Sequence, residues 1–378
     1  MPSTQREDRM PALFMALELA CRTWKVAATQ ERRAHAAVFS MKAERLWERL
    51  GELLALIDQL RRSWKLPRDG RVALIYEAGQ DGFWIARALQ AAGVEVIVID
   101  AASVAVPRHA RRIKTDRLDA LKLLEELRGW LRGERGQLRV VHMPTREVEA
   151  QRLLARERGL LQKEIEQHRD RTSKLLRLHG CTERLDGQFV ERLAAGEVRC
   201  ADGSPLPEQL WGWLMHECER LELAERQLRA LEKTLLQQLP EQVQQRIAHL
   251  ERLRAVGPVG AMRLVLELFW RNFNNRRQVG ACVGLVPQPY DSGDSHVDQG
   301  ISKQGNRRVR SLLIEMAWMW LRHQPQSGLA QWFARRTRGD NKRGKRIAIV
   351  AVARRLAIDL WRYLRDGVVP PGAELKPG

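Results

Sequence analysis

The feature that most narrows the fold is a change of pattern near residue 145. Before it, short apolar runs alternate with segments whose apolar residues recur at helical spacing. ALFMALELACRTWKVAAT and AHAAVFS, within residues 12–40, read as paired strands. ERLWERLGELLALIDQLRRSW reads as a helix that ends before Pro67. RVALIYEAG is a buried strand ending at a glycine turn, and DGFWIARALQAAG is a helix closed by Gly93. VEVIVID is another wholly apolar strand, and TDRLDALKLLEEL another helix. Strands alternating with helices predict an α/β sheet covered on both faces, here assigned to residues 1–142.

After Thr145 the chain turns to helix formers. Residues 145–179 carry Leu153, Leu160, Leu161, Ile165, Leu175 and Leu176, all expected on one side. Residues 207–239 place Leu214, Leu221, Leu228 and Leu235 at heptad spacing. The spacing predicts a helical hairpin or a dimerising coiled coil over 143–245, with an insertion near 180–205, and the same leucines also suit an intramolecular seam. Residues 246–378 read as a mostly helical domain interrupted by one irregular stretch, ACVGLVPQPYDSGDSHVDQGISKQGN. Irregular stretches of that length inside a compact domain are usually functional.

The charge points to a polyanion. Lys and Arg number 65 against 46 Asp and Glu, a formal net charge of +19. The cations cluster in three places: Arg111, Arg112 and Lys114; Lys303, Arg307, Arg308 and Arg310; and Arg335, Arg336, Lys342, Arg343, Lys345 and Arg346. Nucleic acid is the expected partner, with binding that weakens steeply in salt. A membrane is not expected, because no apolar run approaches a span and no bulky apolar stripe faces the clusters. Five scattered cysteines without a CxxC pair argue against a disulfide framework or structural zinc and suit a reducing cytoplasm.

Four acids occupy telling positions. Glu18 interrupts one apolar strand and Glu77 ends another, while Asp116 and Asp119 share one face at a helix start. A carboxylate in a buried strand is costly unless it is paired or binds metal. Carboxylates converging at one end of a sheet suit Mg²⁺, which takes oxygen ligands and, as a pair of ions, brackets a phosphodiester. Asp116 also sits where a helix cap belongs, and an arginine could pair with Glu18. In PYDSGDS, Ser292 lies between Asp291 and Gly293 and could attack a phosphodiester if a metal or base activates it, but on composition alone an ordinary turn is the better reading. LRAVGPVGAMRLV suits either a phosphate-binding helix-hairpin-helix or a plain helical turn, and Trp318 and Trp320 read as core residues.

Taken in order, these segments resemble the IS110 family of transposases, with its relatives among the Piv-type DNA invertases. ALELACRTWKVA, YEAGQDGFWIARAL and RRIKTDRLDA carry the N-terminal part of the match. LRAVGPVGAMRLVLEL, VGACVGLVPQPYDSGDS, GISKQGNRRVRSLLIEMAW and IAIVAVARRLAIDLWRYL carry the rest, leaving only 180–205 uncovered. The resemblance implies a RuvC-like, RNase H-type α/β domain, a coiled-coil linker and a mostly α transposase domain. It implies a four-acid Mg²⁺ centre at Glu18, Glu77, Asp116 and Asp119, with Ser292 as nucleophile; at position 18 the family most often has Asp. It further implies strand exchange through a phosphoserine, a guide RNA from the element's own end that pairs with donor and target DNA, and a homo-oligomer whose subunits complete the site. A metal-dependent nuclease using water, a site-specific invertase and a non-catalytic DNA-binding protein are the alternatives.

Overall fold

Every residue from Leu13 to Leu17 is buried, so this strand must be covered on both faces. In a computed structural model that describes residues 12–30, 35–67, 69–79, 82–100, 115–134, 138–292 and 295–377, it is the central strand of a five-stranded sheet. β1 (Leu13–Glu18), β2 (Trp24–Thr29) and β3 (Ala37–Met41) form an antiparallel meander. β4 (Val72–Glu77) and β5 (Glu95–Ile99) extend the other side of β1 in parallel, giving the order β3-β2-β1-β4-β5. α1 (Leu46–Ser63) and α2 (Trp84–Ala91) cover one face, where Leu53, Ile57, Ile85 and Leu89 meet Leu13, Met15, Leu17 and Tyr76. α3 (Asp116–Leu131) covers the other, setting Ala120, Leu123, Leu124 and Leu127 on Phe14, Ala16, Ala73, Ile75 and Ile99. Each of the larger side chains, Leu, Ile, Phe or Met, contributes about 1.5–3 kcal/mol on burial, which fixes the sheet between its two helical layers.

The chain divides into two compact units, Met1–Met143 and Pro144–Gly378. The second begins with α4 (Arg146–Leu178), capped by Thr145, whose side chain accepts from the Val148 amide. α6 (Glu208–Leu235) returns beside it. Arg158 pairs with Glu232, Arg169 with Glu225 and Arg171 with Glu217, so rising numbers on α4 meet falling numbers on α6 and the two helices are antiparallel. Leu161 and Ile165 pack on Ala224 and Leu228, so within one chain the leucines form an intramolecular seam. Leu153 and Leu160 do not join it, being 56% and 55% exposed. Leu160 lies about 100° round the helix from Leu161, which turns it off the seam. α5 (Phe189–Ala194), inside the insertion, closes the far end over Leu175, Leu176, Leu210 and Leu214.

The remaining elements are α7 (Glu241–Glu251), α8 (Pro258–Glu267), α9 (Arg276–Cys282), a hairpin of β6 (Pro287–Ser292) and β7 (Ser295–Ile301), α10 (Arg307–His323), α11 (Gly328–Arg336) and α12 (Lys342–Asp366). They share one core in which Leu264, Leu313, Ala317, Val352 and Leu356 are fully or almost fully buried. Trp320 joins that core and donates to Ser327, but Trp318 is 44% exposed, contrary to the sequence expectation. Two residues apart on a helix means about 200° of rotation, so both could not face one core. The turn between α7 and α8 is held by the chain's own C-terminal segment: the Arg254 amide donates to the Glu374 carbonyl and Lys376 to the Val256 carbonyl. No helix of the described residues is long and apolar enough to cross a membrane.

Candidate functional site

Two parallel strands bring the first pair of acids together. The register Leu17↔Tyr76 makes Glu18 and Glu77, the last residues of β1 and β4, neighbours across strands about 4.8 Å apart. Alternation puts Glu18 on the face of Phe14 and Ala16, and Glu77 on that of Ala73 and Ile75, the face α3 covers. Lys25 stands opposite Glu18 in the antiparallel register with β2 and donates to Ser40 at 2.7 Å.

The second pair opens α3. Thr115 caps the helix by accepting from the Leu118 amide, so Asp116 is not the cap. Asp116 is exposed, whereas Asp119 adjoins the fully buried Ala120. The Asp119 Oδ2 is itself buried and has no hydrogen-bond partner in the protein, the only carboxylate oxygen among the described residues in that state. A desolvated, unpartnered carboxylate oxygen is costly, and a hard cation satisfies it. The four acids therefore suit Mg²⁺ in their chemistry, although among the described residues no three metal-ligating side chains already stand together as a cluster. Arg111, Arg112 and Lys114 lie outside the described residues.

Ser292 proves to lie in strand rather than in a loop. It is the last residue of β6, in backbone register with Ser295 of β7. The segment looks irregular because Pro287 and Pro289 break the usual strand composition, and the pairing is offset between them. The hairpin's foot is pinned by two glycines. Gly284 (φ +66°) and Gly305 (φ +98°) adopt left-handed backbone, and a Cβ on either would collide with the carbonyl oxygen of Gln304 or Cys282. The Lys303 amide then donates to the Gly284 carbonyl, and the Asn306 amide to that of Cys282.

The same foot sets the start of α10. Asn306 accepts from the Arg308 and Val309 amides, and its Nδ2 donates to Glu267 Oε2 at 3.3 Å. Glu267 is 5% exposed and is also held by Arg152 at 3.1 Å and Arg156 at 3.0 Å. Burial alone would raise its carboxyl, but the two arginines hold it below the ordinary carboxylate range. Lys303, Arg307 and Arg308 are consequently exposed on a rigid frame, whereas Arg310 turns inward and donates to the Val283 carbonyl. Beside Arg308 lies a cavity of about 250 Å³ that also gathers Arg156, Lys163 and Arg263, with Glu267 as its acid. Burial pushes the Arg263 guanidinium down. Sequence reading missed Arg156, Lys163, Arg263 and Glu267, because only the docking of α4 on α8 unites positions about a hundred residues apart. In the third cluster, Arg335, Lys342, Arg343, Lys345 and Arg346 are exposed, and Arg336 approaches Asp340 at 3.7 Å.

Comparison with known proteins identifies the family of the chain. Residues 247–331 match the family model described as Transposase IS116/IS110/IS902 family. A Sinorhizobium fredii (strain NBRC 101917 / NGR234) protein designated transposase y4rJ is 37% identical over 99% of this chain and 97% of its own. The transposase for insertion sequence element IS1328 of Yersinia enterocolitica is 30% identical over 43% of this chain and 45% of its own. That for IS1111A of Coxiella burnetii (strain RSA 493 / Nine Mile phase I) is 37% identical over 24% and 25% respectively. With a relative of that identity aligned from end to end, the chain belongs to the IS110 family of insertion-sequence transposases.

Proposed function

We propose that this transposase exchanges DNA strands by serine chemistry, in an Mg²⁺-dependent reaction directed by an RNA transcribed from its own element. The observation that carries the metal half is the placement of Glu18 and Glu77 at adjacent strand ends, on the face covered by the helix whose Asp119 bears an unpartnered buried oxygen. The sheet order, an antiparallel meander extended by two parallel strands, supports an RNase H-like reading of the first unit. Glu18, Glu77, Asp116 and Asp119 would hold Mg²⁺, which when bound polarises a phosphoryl oxygen. Glu18 reaches one methylene farther than the Asp usual in the family.

In this reading the Ser292 hydroxyl attacks phosphorus, the bond to the leaving strand oxygen breaks, and that strand departs as a free hydroxyl. A hydroxyl of the exchanged strand then attacks the phosphoserine and releases the serine. Bonds made equal bonds broken, so no nucleotide cofactor is consumed. Lys303, Arg307, Arg308 and the exposed cations of α11 and α12 grip phosphates without reading sequence. The guide RNA and the homo-oligomer rest on the family resemblance.

The test combines full-length protein and its co-purified RNA with labelled donor and target DNA, in Mg²⁺ or in chelator, with or without prior ribonuclease treatment. Joined recombinants are expected only with both Mg²⁺ and intact RNA. Recombinants that survive ribonuclease would remove RNA guidance, and cleavage without joining would favour a nuclease that uses water.

A further inference from the structure

A second cleft lies at the foot of the β6–β7 hairpin. One face of α12 forms its long wall, from Arg343 through Ile347, Val350 and Arg354 to Ile358, a run of about 22 Å at 1.5 Å per residue. Arg276 and Arg277 at the start of α9 stand on its rim, and Leu285, Pro287 and Ile301 supply an apolar floor. The cleft encloses about 630 Å³, and among the described residues its lining holds six arginines and no acid. Ile347 is 60% exposed among these cations, and the buried Arg354 Nε has no hydrogen-bond partner in the protein. Arg355 is fixed on the rim by stacking over Trp332 at 3.9 Å.

A solvated basic face needs no apolar floor, and duplex nucleic acid would leave one unused because its base faces are stacked inside. We infer that this cleft binds an unpaired stretch of nucleic acid, with its phosphates at the arginine rim and its bases laid against Ile347, Val350 and Ile301. The inference rests on the function proposed above only for the class of partner. Pro287 and Ile301 pair at the hairpin's foot, and Ser292 is five residues farther along β6, about 17 Å at strand rise. A strand seated in the cleft is thereby held close to the serine-bearing end of the hairpin.

Fluorescence anisotropy with the full-length protein tests this. The probes are oligothymidylate and oligouridylate of roughly 12 nucleotides, within the usual site size, an abasic phosphodiester of the same length, and a duplex hairpin. Ile347→Ser changes an exposed side chain without changing charge, so the fold should stand. It is expected to weaken both base-bearing probes about fivefold, the low end of what loss of an aromatic base platform costs, and to leave the abasic and duplex probes unchanged. Arg343→Glu with Arg346→Glu should weaken every probe and flatten the salt dependence. The tighter of the two oligomers identifies DNA or RNA as the natural strand, and either supports the cleft. Abasic and base-bearing probes binding equally, or an Ile347→Ser protein that binds oligomers like wild type, would overturn the inference. Oligomer binding that behaves as expected in a protein forming no serine adduct would sink the proposed chemistry and leave the cleft standing.

Discussion

Glu217 and Asp119 are both carboxylates at packed helices, one in each compact unit, and they are handled in opposite ways. Glu217 is 1% exposed and saturated: His168 sits at 2.6 Å, Arg171 at 2.8 Å, Arg220 at 3.0 Å and Trp213 at 3.3 Å. Asp119 keeps a buried oxygen with no donor. Saturated carboxylates cross-link the α4–α6 hairpin and belong to its scaffold. An unsatisfied one in the α/β unit is a cost that folding alone does not explain and that the cation of the proposed function would offset.

Breaking each carboxylate should therefore give opposite phenotypes. Asp119→Asn keeps size and shape, so DNA strand cleavage should fall by about 10³-fold while the melting temperature holds or rises. A lowered melting temperature with cleavage retained would make Asp119 structural after all. Glu217→Ala should do the reverse, costing about 3 kcal/mol in denaturant unfolding through loss of its hydrogen bonds to His168, Arg171, Arg220 and Trp213, at about 0.5–1.5 kcal/mol each. Strand exchange at low temperature should survive it.

The pH dependence sharpens the same contrast. Burial by itself pushes the Glu217 carboxyl up, but hydrogen bonds from His168, Arg171 and Trp213 override it and bring it to about 2, from an ordinary 4.5. Because the folded value is depressed, the stabilisation is fully present above pH 4.5 and is lost as pH falls toward 2. The swing is about 3 kcal/mol. Glu217→Gln should flatten that slope in acid-unfolding titrations, and an unchanged slope would place the acid sensitivity elsewhere. A smaller effect is expected at the start of α9, where Asn275 accepts from the Arg277 and Gln278 amides: Asn275→Ala should cost about 1 kcal/mol. Smallest is Glu225→Ala on the hairpin surface, whose partner Arg169 is 54% exposed; less than about 1 kcal/mol should be lost.

Legibility in the sequence followed the range of the interactions. β1 to β5 and α1 to α3 were readable because apolar runs and helical periods are local, and Gly93 does close its helix with φ +78°. Glu18 and Glu77 stood out as acids in apolar strands, and Asp116 and Asp119 as a pair on one face of a helix start. The β6–β7 hairpin escaped because two prolines and an offset in the pairing mimic loop composition. The exposure of Leu153, Leu160 and Trp318 depends on rotation about a helix axis, which a run of apolar letters does not specify. The Glu217 and Glu267 networks, the basic cavity at Arg263 and the cleft along α12 were invisible for a different reason. Their members come from helices far apart in sequence, and each acid or arginine alone reads as ordinary surface charge.

The central claim, that Ser292 and the acids of the first unit serve one reaction, is tested most directly by trapping the covalent intermediate. Wild type, Ser292→Ala and Asp119→Asn would each be mixed with co-purified RNA, labelled donor and target DNA and Mg²⁺, then denatured. The expected result is a protein–DNA adduct in wild type that maps by peptide sequencing to Ser292 rather than Ser295, and that is absent from both variants. Cleavage persisting in Ser292→Ala without an adduct, or an adduct undiminished in Asp119→Asn, would contradict the account.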